Sequence, residues 1–295
     1  MEFTWKKDND IEQKVKSFLG NHGVSHRMFS QIKHNGGDIL VNGVHGRTVD
    51  FLKKGDAVTI IMPPELDNDI VATSYGVLDV LYEDRNFLVV NKPAGMTTVP
   101  GRADREDTLV NRVKGHLKQQ GATDLVPHVV TRLDRFTSGL VLIAKHRFAH
   151  AMMDKQLQAH TMNKQYYAVV SGRVPLDHDL IDAPIGRMDD DFIRREVRED
   201  GRSSQTEYWV EDRTPDATLV RIQLHTGRTH QIRVHFSHLG YSLLGDDVYG
   251  GPIDRGITRQ ALHAFYLSFE DPFTHRVLEF KAPLPGDMQI LLDRK

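Results

Sequence analysis

The sequence predicts an α+β protein: an extended, mostly antiparallel mixed sheet flanked by helices, with a small α/β unit in front of it. Three observations predict this. Strand-like runs are joined in pairs by turn residues, and segments of helical period are few. A polar, proline-led stretch, Pro63 to Asp69, interrupts the chain. The residues before it have their own order of helix, helix, strand and strand. The expected division is a small unit over 1–62, a linker over 63–76 and a large domain over 77–295.

In the small unit, apolar residues at 11, 15, 18 and 19 predict a helix from Ile11 to Leu19. Ser25 is placed to cap a second helix running through Lys33, and Asn35-Gly36-Gly37 stops it. Ile39–Val41 and Ala57–Ile61 are strand-like, and Asn42-Gly43 is a turn between short strands. Beyond the linker, Val77–Tyr82 and Phe87–Asn91 read as a hairpin. Asp107 is placed to cap a helix whose apolar positions are 109, 110, 113 and 117. Val129–Val130 and Leu140–Ala144 are short apolar runs around the polar segment Thr131–Gly139. A helix follows from His146 to Gln158, with Phe148, Met152 and Leu157 inward. In the strand Asn163–Val170, Tyr166 and Ala168 share one face, and Tyr167 and Val169 the other. The charged segment 186–203 reads as an excursion, followed by strands at 205–210 and 218–225. Thr229 is placed to cap a helix to about Leu239, with Ile232, Phe236 and Leu239 inward. Ala261–Phe269 and Val277–Phe280 close the chain as a strand pair.

Composition narrows the function classes. The 295 residues include no cysteine, which excludes disulfides, thiolate metal sites and a cysteine nucleophile. No apolar run reaches membrane-spanning length, and the first residues form no apolar signal region, so a cytoplasmic setting without membrane contact is expected. The net charge of −2 gives no hint of nucleic acid, but its distribution does. Residues 11–60 carry seven Lys/Arg against four Asp/Glu. Between Ala217 and Gly245 there is no carboxylate, while Arg221, Arg228, Arg233 and four histidines occur. Such surfaces can neutralise phosphates, although a solvated basic face has the same composition.

The polar segment at 131–139 carries the candidate chemistry. A carboxylate fixed between core strands needs a partner, and Arg132 and Arg135 offer positive charge beside Asp134. A structural ion pair capping a turn would use the same residue types.

Arg132-Leu133-Asp134 followed by Thr137-Ser138-Gly139 resembles the catalytic motif of RNA pseudouridine synthases of the RluA/RluD type, with Thr131 where that motif usually has His. Lys164-Gln165-Tyr166-Tyr167-Ala168 and Gly227-Arg228-Thr229-His230-Gln231-Ile232-Arg233 resemble two further motifs, in the same order. Asn91 to Met96, Gly245 to Gly250 and Leu262-His263-Ala264 are similar to its other signatures. The small unit resembles the S4-like RNA-binding domain. The resemblance implies the pseudouridine synthase fold and isomerisation of uridine in ribosomal (23S) or transfer RNA, with no cofactor and no metal. It implies Asp134 as nucleophile or base on a flipped-out uridine, by attack at the sugar or by proton abstraction to a glycal. Arg233 is implied to pair with Asp134, and Tyr166 to stack on the base or take its C5 proton. Arg132, Arg135, Arg228 and Leu262 would contact RNA around the pocket, and Arg27 and Lys33 would do so from the small unit. A monomer is expected.

Two other readings use the same residues. A metal-dependent hydrolase would need His225, His230 and His235 together, yet a spacing of five turns each side chain by roughly 140° around a helix. A non-catalytic S4-type RNA-binding protein would need only the small unit.

Overall fold

A computed structural model describes residues 1–67, 70–102 and 104–292. Residues 68 and 69 of the expected linker, and 103 and 293–295 of the expected large domain, lie outside the described residues.

The N-terminal part comprises β1 (Glu2–Lys6), β2 (Gln13–Lys14), α1 (Val15–Asn21), α2 (His26–His34), β3 (Asp38–Val41), β4 (Val44–His45), β5 (Phe51–Leu52) and β6 (Ala57–Ile61). Four of the strands form a sheet in the order β1-β6-β3-β4, and β2 pairs with β5. Ser25 caps α2 as expected, its hydroxyl accepting the Met28 N–H at 3.3 Å. One expectation is corrected. α1 begins at Val15, because Gln13 and Lys14 are taken into strand pairing with β5; Ile11 is 72% exposed and outside the helix. β1 was not anticipated. Its alternation of Phe3 and Trp5 with Thr4 and Lys6 is the period-2 signal that reveals it.

The larger part comprises β7 (Val80–Glu83), β8 (Phe87–Lys92), α3 (Leu109–Gln119), β9 (His128–Val129), β10 (Ser138–Ala144), α4 (Arg147–Gln158), β11 (Asn163–Ser171), β12 (His178–Asp182), β13 (Ile185–Met188), β14 (Asp191–Val197), β15 (Gln205–Arg213), β16 (Ala217–Leu224), α5 (Gln231–His238), β17 (Leu262–Glu270), β18 (Val277–Lys281) and α6 (Gly286–Leu292). Ten strands form a sheet in the order β12-β15-β16-β11-β17-β10-β8-β7, with β18 on β17 and β9 on β10. Only β10 and β17 run parallel in it. The fold is α+β with a mixed, mostly antiparallel sheet, as the strand pairs predicted.

The sheet is covered on both faces. On one, Tyr166, Ala168 and Val170 pack with Leu109, Val113 and Leu117 of α3 and with Ile232 and Phe236 of α5. On the other, Ala149 and Met153 of α4 cover Leu140 and Leu142, and Met288 and Leu291 of α6 cover Val169 and Ala217. Met153 is the fully buried methionine of α4, and Met152 is only half-buried; the charged excursion is the β13–β14 hairpin. Thr108, not Asp107, caps α3, in a capping box with Asn111; Asp107 instead binds Arg112 and Ser74.

The two parts share a core. Phe3 of β1 lies 4.9 Å from Phe148 of α4 and 5.3 Å from Phe273, ring centre to ring centre. The segment between them is tied down as well: buried Glu65 accepts from His128 Nε2 at 2.9 Å, from Arg147 Nη2 at 3.0 Å and from the Arg147 N–H at 2.6 Å.

Candidate active site

The pocket forms where the sheet divides. β17 runs beside β10 for two residue pairs, Ser138–His263 and Gly139–Ala264, then leaves it to pair with β18. The contact is close because Gly139 has φ +116° and no side chain; a Cβ there would meet the Ala264 backbone. The segment before Gly139 crosses the opening and carries Asp134.

This crossing segment is irregular, neither strand nor helix. Its shape comes from hydrogen bonds. Thr98 Oγ1 donates to the Leu133 carbonyl at 2.7 Å, and Thr131 Oγ1 accepts the Leu142 N–H at 2.9 Å. The Gly95 N–H donates to the Arg135 carbonyl at 2.9 Å. Beneath them, buried Lys92 gives its ammonium to three carbonyls: Met96 at 2.8 Å, Pro93 at 2.9 Å and Arg135 at 3.2 Å. Burial pushes Lys92 down to about 7, with the Asp134 charge opposing. The run Asn91–Met96 therefore works as the clamp on the Asp134 loop.

Asp134 is about one-third exposed. Neither Arg132 nor Arg135 pairs with it, which corrects the expectation from their adjacency. Arg132 points to solvent on the pocket rim; Arg135 donates to the Gly95 carbonyl at 3.0 Å and lies over the Phe136 ring. The charge facing Asp134 comes from α5: Arg233 Nη1 lies 3.4 Å from Asp134 Oδ2.

Arg233 is itself held by Asp246, in the signature segment Gly245 to Gly250. Asp246 receives Arg233 Nε at 2.6 Å and Nη2 at 2.8 Å, a two-pronged pair with both residues buried. Burial alone would depress the guanidinium, but the Asp246 bonds, the Asp246 charge and the Asp134 charge outweigh it and raise it above its ordinary value. Only Nη1 is left to face Asp134. Two acidic residues after Gly245, in a segment already matched to a signature, were the available signal.

α5 starts later than expected. Thr229 is exposed and does not cap it; the Gln231 side chain ties the turn instead, accepting from the Arg228 N–H at 2.9 Å and from Thr226 Oγ1 at 2.8 Å. Leu239 is 39% exposed and outside the helix.

The pocket has a volume of about 400 Å³, within the range of small-ligand sites. Tyr166 and Leu262 form buried parts of its wall, and Arg132, Arg135 and Arg228 lie on it. Burial, then the Asp134 charge, raises the Tyr166 phenol above its ordinary range. Arg27 and Lys33 are elsewhere, exposed on α2; Lys33 borders a separate cavity with Lys16, His26 and Arg47. The three histidines do not converge. His225 binds Glu207, His235 is buried against Thr206 and Ala183, and only His230 is at the pocket. Among the described residues no group of three or more His, Asp or Glu is placed to hold a metal ion.

Residues 86–238 match the family model described as RNA pseudouridylate synthase. An RNA pseudouridine synthase of Bacillus subtilis, YjbO, is 42% identical over 94% of this chain and 98% of its own length. A ribosomal large subunit pseudouridine synthase D of Pseudomonas aeruginosa is 36% identical over 96% of this chain and 90% of its own. The solved structure of human RNA pseudouridylate synthase domain containing 1 superposes with a TM-score of 0.59 at 27% identity, covering 71% of this chain and 84% of the other. No helix among the described residues is long and apolar enough to cross a membrane. With three motifs meeting at one pocket and relatives matched nearly end to end, the chain belongs to the RNA pseudouridine synthases, isomerases that act on RNA.

Proposed function

We propose that this chain converts specific uridines of large-subunit ribosomal RNA to pseudouridine, with Asp134 as the reacting carboxylate. The observation that carries the reading is the approach of Arg233 to Asp134, 99 residues away in sequence, at the wall of one pocket. The ribosomal substrate is favoured by relatives such as the Pseudomonas aeruginosa ribosomal large subunit enzyme; transfer RNA is the other substrate the sequence motifs imply.

The reaction breaks the N1–C1′ bond, turns the base, joins C5 to C1′, and moves the C5 hydrogen off as a proton while N1 gains one. No donor is consumed. A carboxylate can hold the sugar meanwhile, as in glycosidases with a covalent intermediate; abstraction of the 2′ proton to give a glycal is the other route. Arg233 supplies the facing charge and Asp246 aims it. Tyr166 is held far from ionisation, which suits a ring that stacks on the base better than one that takes its proton. Leu262 is the apolar wall. Flipping the uridine out of a helix costs a few kcal/mol, and Arg132, on the exposed rim, is suited to occupy the place it leaves. Arg135 and Arg228 are suited to hold the backbone. In this reading residues 1–62 are an S4-like unit contacting RNA through Arg27 and Lys33, 63–76 join it to the catalytic domain 77–295, and one chain is sufficient for activity.

Mapping pseudouridine across total RNA from a strain lacking this chain tests the substrate. Loss of pseudouridine at one or a few ribosomal positions is expected. Loss confined to transfer RNA would overturn the ribosomal assignment.

A further inference from the structure

His230 lies on the pocket wall with strained backbone. It precedes α5 at φ +58°, in the left-handed region that non-glycine residues rarely adopt. Ile232 and Phe236, buried on the same helix, anchor the turn that holds it there. Its Nδ1 is 2.9 Å from the Tyr249 hydroxyl, and its Nε2 is 3.8 Å from Asp134 Oδ2.

The proton on this ring can be placed. The Tyr249 oxygen accepts the Arg195 N–H of β14 at 3.0 Å. A phenol has one hydrogen to give, and among the described residues His230 Nδ1 is the acceptor within its reach. Nδ1 therefore accepts, and neutral imidazole carries its hydrogen on Nε2, facing the carboxylate. Burial keeps His230 below the ordinary histidine range; Asp134 and Asp246 oppose that, and Arg233 and Arg195 reinforce it. At 3.8 Å the Nε2–H and Oδ2 are not yet bonded, and catalytic hydrogen bonds of this kind commonly tighten only when substrate is bound.

We infer that His230 is a positioning residue: its Nε2–H closes on Asp134 and fixes which carboxylate oxygen faces the uridine. Tyr249, braced by the β13–β14 hairpin, fixes the tautomer that allows this. The inference rests on Asp134 being the reacting carboxylate. It also gives the charged hairpin a structural link to the pocket.

The test uses total RNA from a strain lacking this chain, tritiated at uridine C5, and follows tritium release with enzyme in excess. Asn accepts left-handed backbone but is too short to reach Asp134. His230→Asn is expected to slow the saturating rate about 10- to 100-fold, the scale of losing a partner that orients a reacting group, with the half-saturating enzyme concentration within about twofold of normal. His230→Gln, whose amide N–H can extend to where Nε2 stands, should recover most of the loss. Tyr249→Phe should slow the intact enzyme but add nothing to His230→Gln, because the tautomer no longer matters there. A normal rate in His230→Asn, or a Gln variant as slow as the Asn variant, overturns the inference. Asp134→Asn run alongside separates the two levels: activity in that variant defeats the underlying reading, whereas silence there with a normal His230→Asn defeats this inference alone.

Discussion

At the pocket a single guanidinium serves two carboxylates. Asp246, fully buried, takes two of the three Arg233 nitrogens, and Asp134, about one-third exposed, faces the third. Removing one partner of a buried pair leaves a charge without compensation and costs about 3–5 kcal/mol. Asp246→Asn is therefore expected to lower unfolding stability by that order in urea titrations and to slow uridine isomerisation at least about tenfold. Unchanged stability would mean that Asp246 does not hold Arg233. Motif order in the sequence pointed to Asp134, Tyr166 and Arg233, and the structure brings all three to one pocket. It could not say which carboxylate takes which nitrogen, because that depends on the turn after Gly245 folding under α5. Adjacency misled in the opposite direction. Arg132 and Arg135 neighbour Asp134 in sequence, yet the irregular backbone of the loop turns both away from it.

Among the elements, the close pass of β10 and β17 sets the position of the Asp134 loop. Gly139→Ala would put a methyl into the Ala264 backbone at a positive φ, so the strands must separate. A loss of about 2 kcal/mol or more is expected in thermal or urea unfolding, at the upper end of ordinary single substitutions, along with loss of activity. A variant of normal stability and rate would show that the parallel contact is dispensable. The start of α4 gives a pH prediction. His146 Nδ1 accepts the Ala149 N–H at 3.1 Å, and Nε2 lies 3.1 Å from Asn86 Oδ1, so the ring is neutral with its hydrogen on Nε2. Burial depresses His146 to about 4 from 6.5. The unfolded chain then binds the proton first, so this stability is fully present above pH 6.5 and is lost as pH falls through 4, approaching about 3 kcal/mol. Unfolding midpoints should fall across that window, and the fall should be shallower in His146→Gln; identical slopes would contradict the assignment. Strand pairs and most helices were legible because their periods are local. The starts of α1, α3 and α5 were not. Each was decided by a competing partner: strand pairing at Lys14, a cap one residue later at Thr108, and the Gln231 side chain at the turn.

On the scale of the molecule, the N-terminal part and the large sheet are welded through aromatic rings. Phe3 comes from one and Phe148 and Phe273 from the other, and Glu65 pins the joining segment to β9 and α4. The sequence marked a change of composition at 63–76, but no local pattern reveals that Phe3 and Phe148 meet, since their contact spans the whole join. The same long-range folding makes the site. Residues 134 and 233 come from opposite sides of the divided sheet and face each other at 3.4 Å. The proposed chemistry depends on that carboxylate being the reacting group. Asp134→Asn keeps the shape and removes the charge, so the direct measurement is pseudouridine formation and RNA affinity in that one variant. No detectable pseudouridine with binding unchanged is expected; formation at the normal rate would show that Asp134 is not the reacting group.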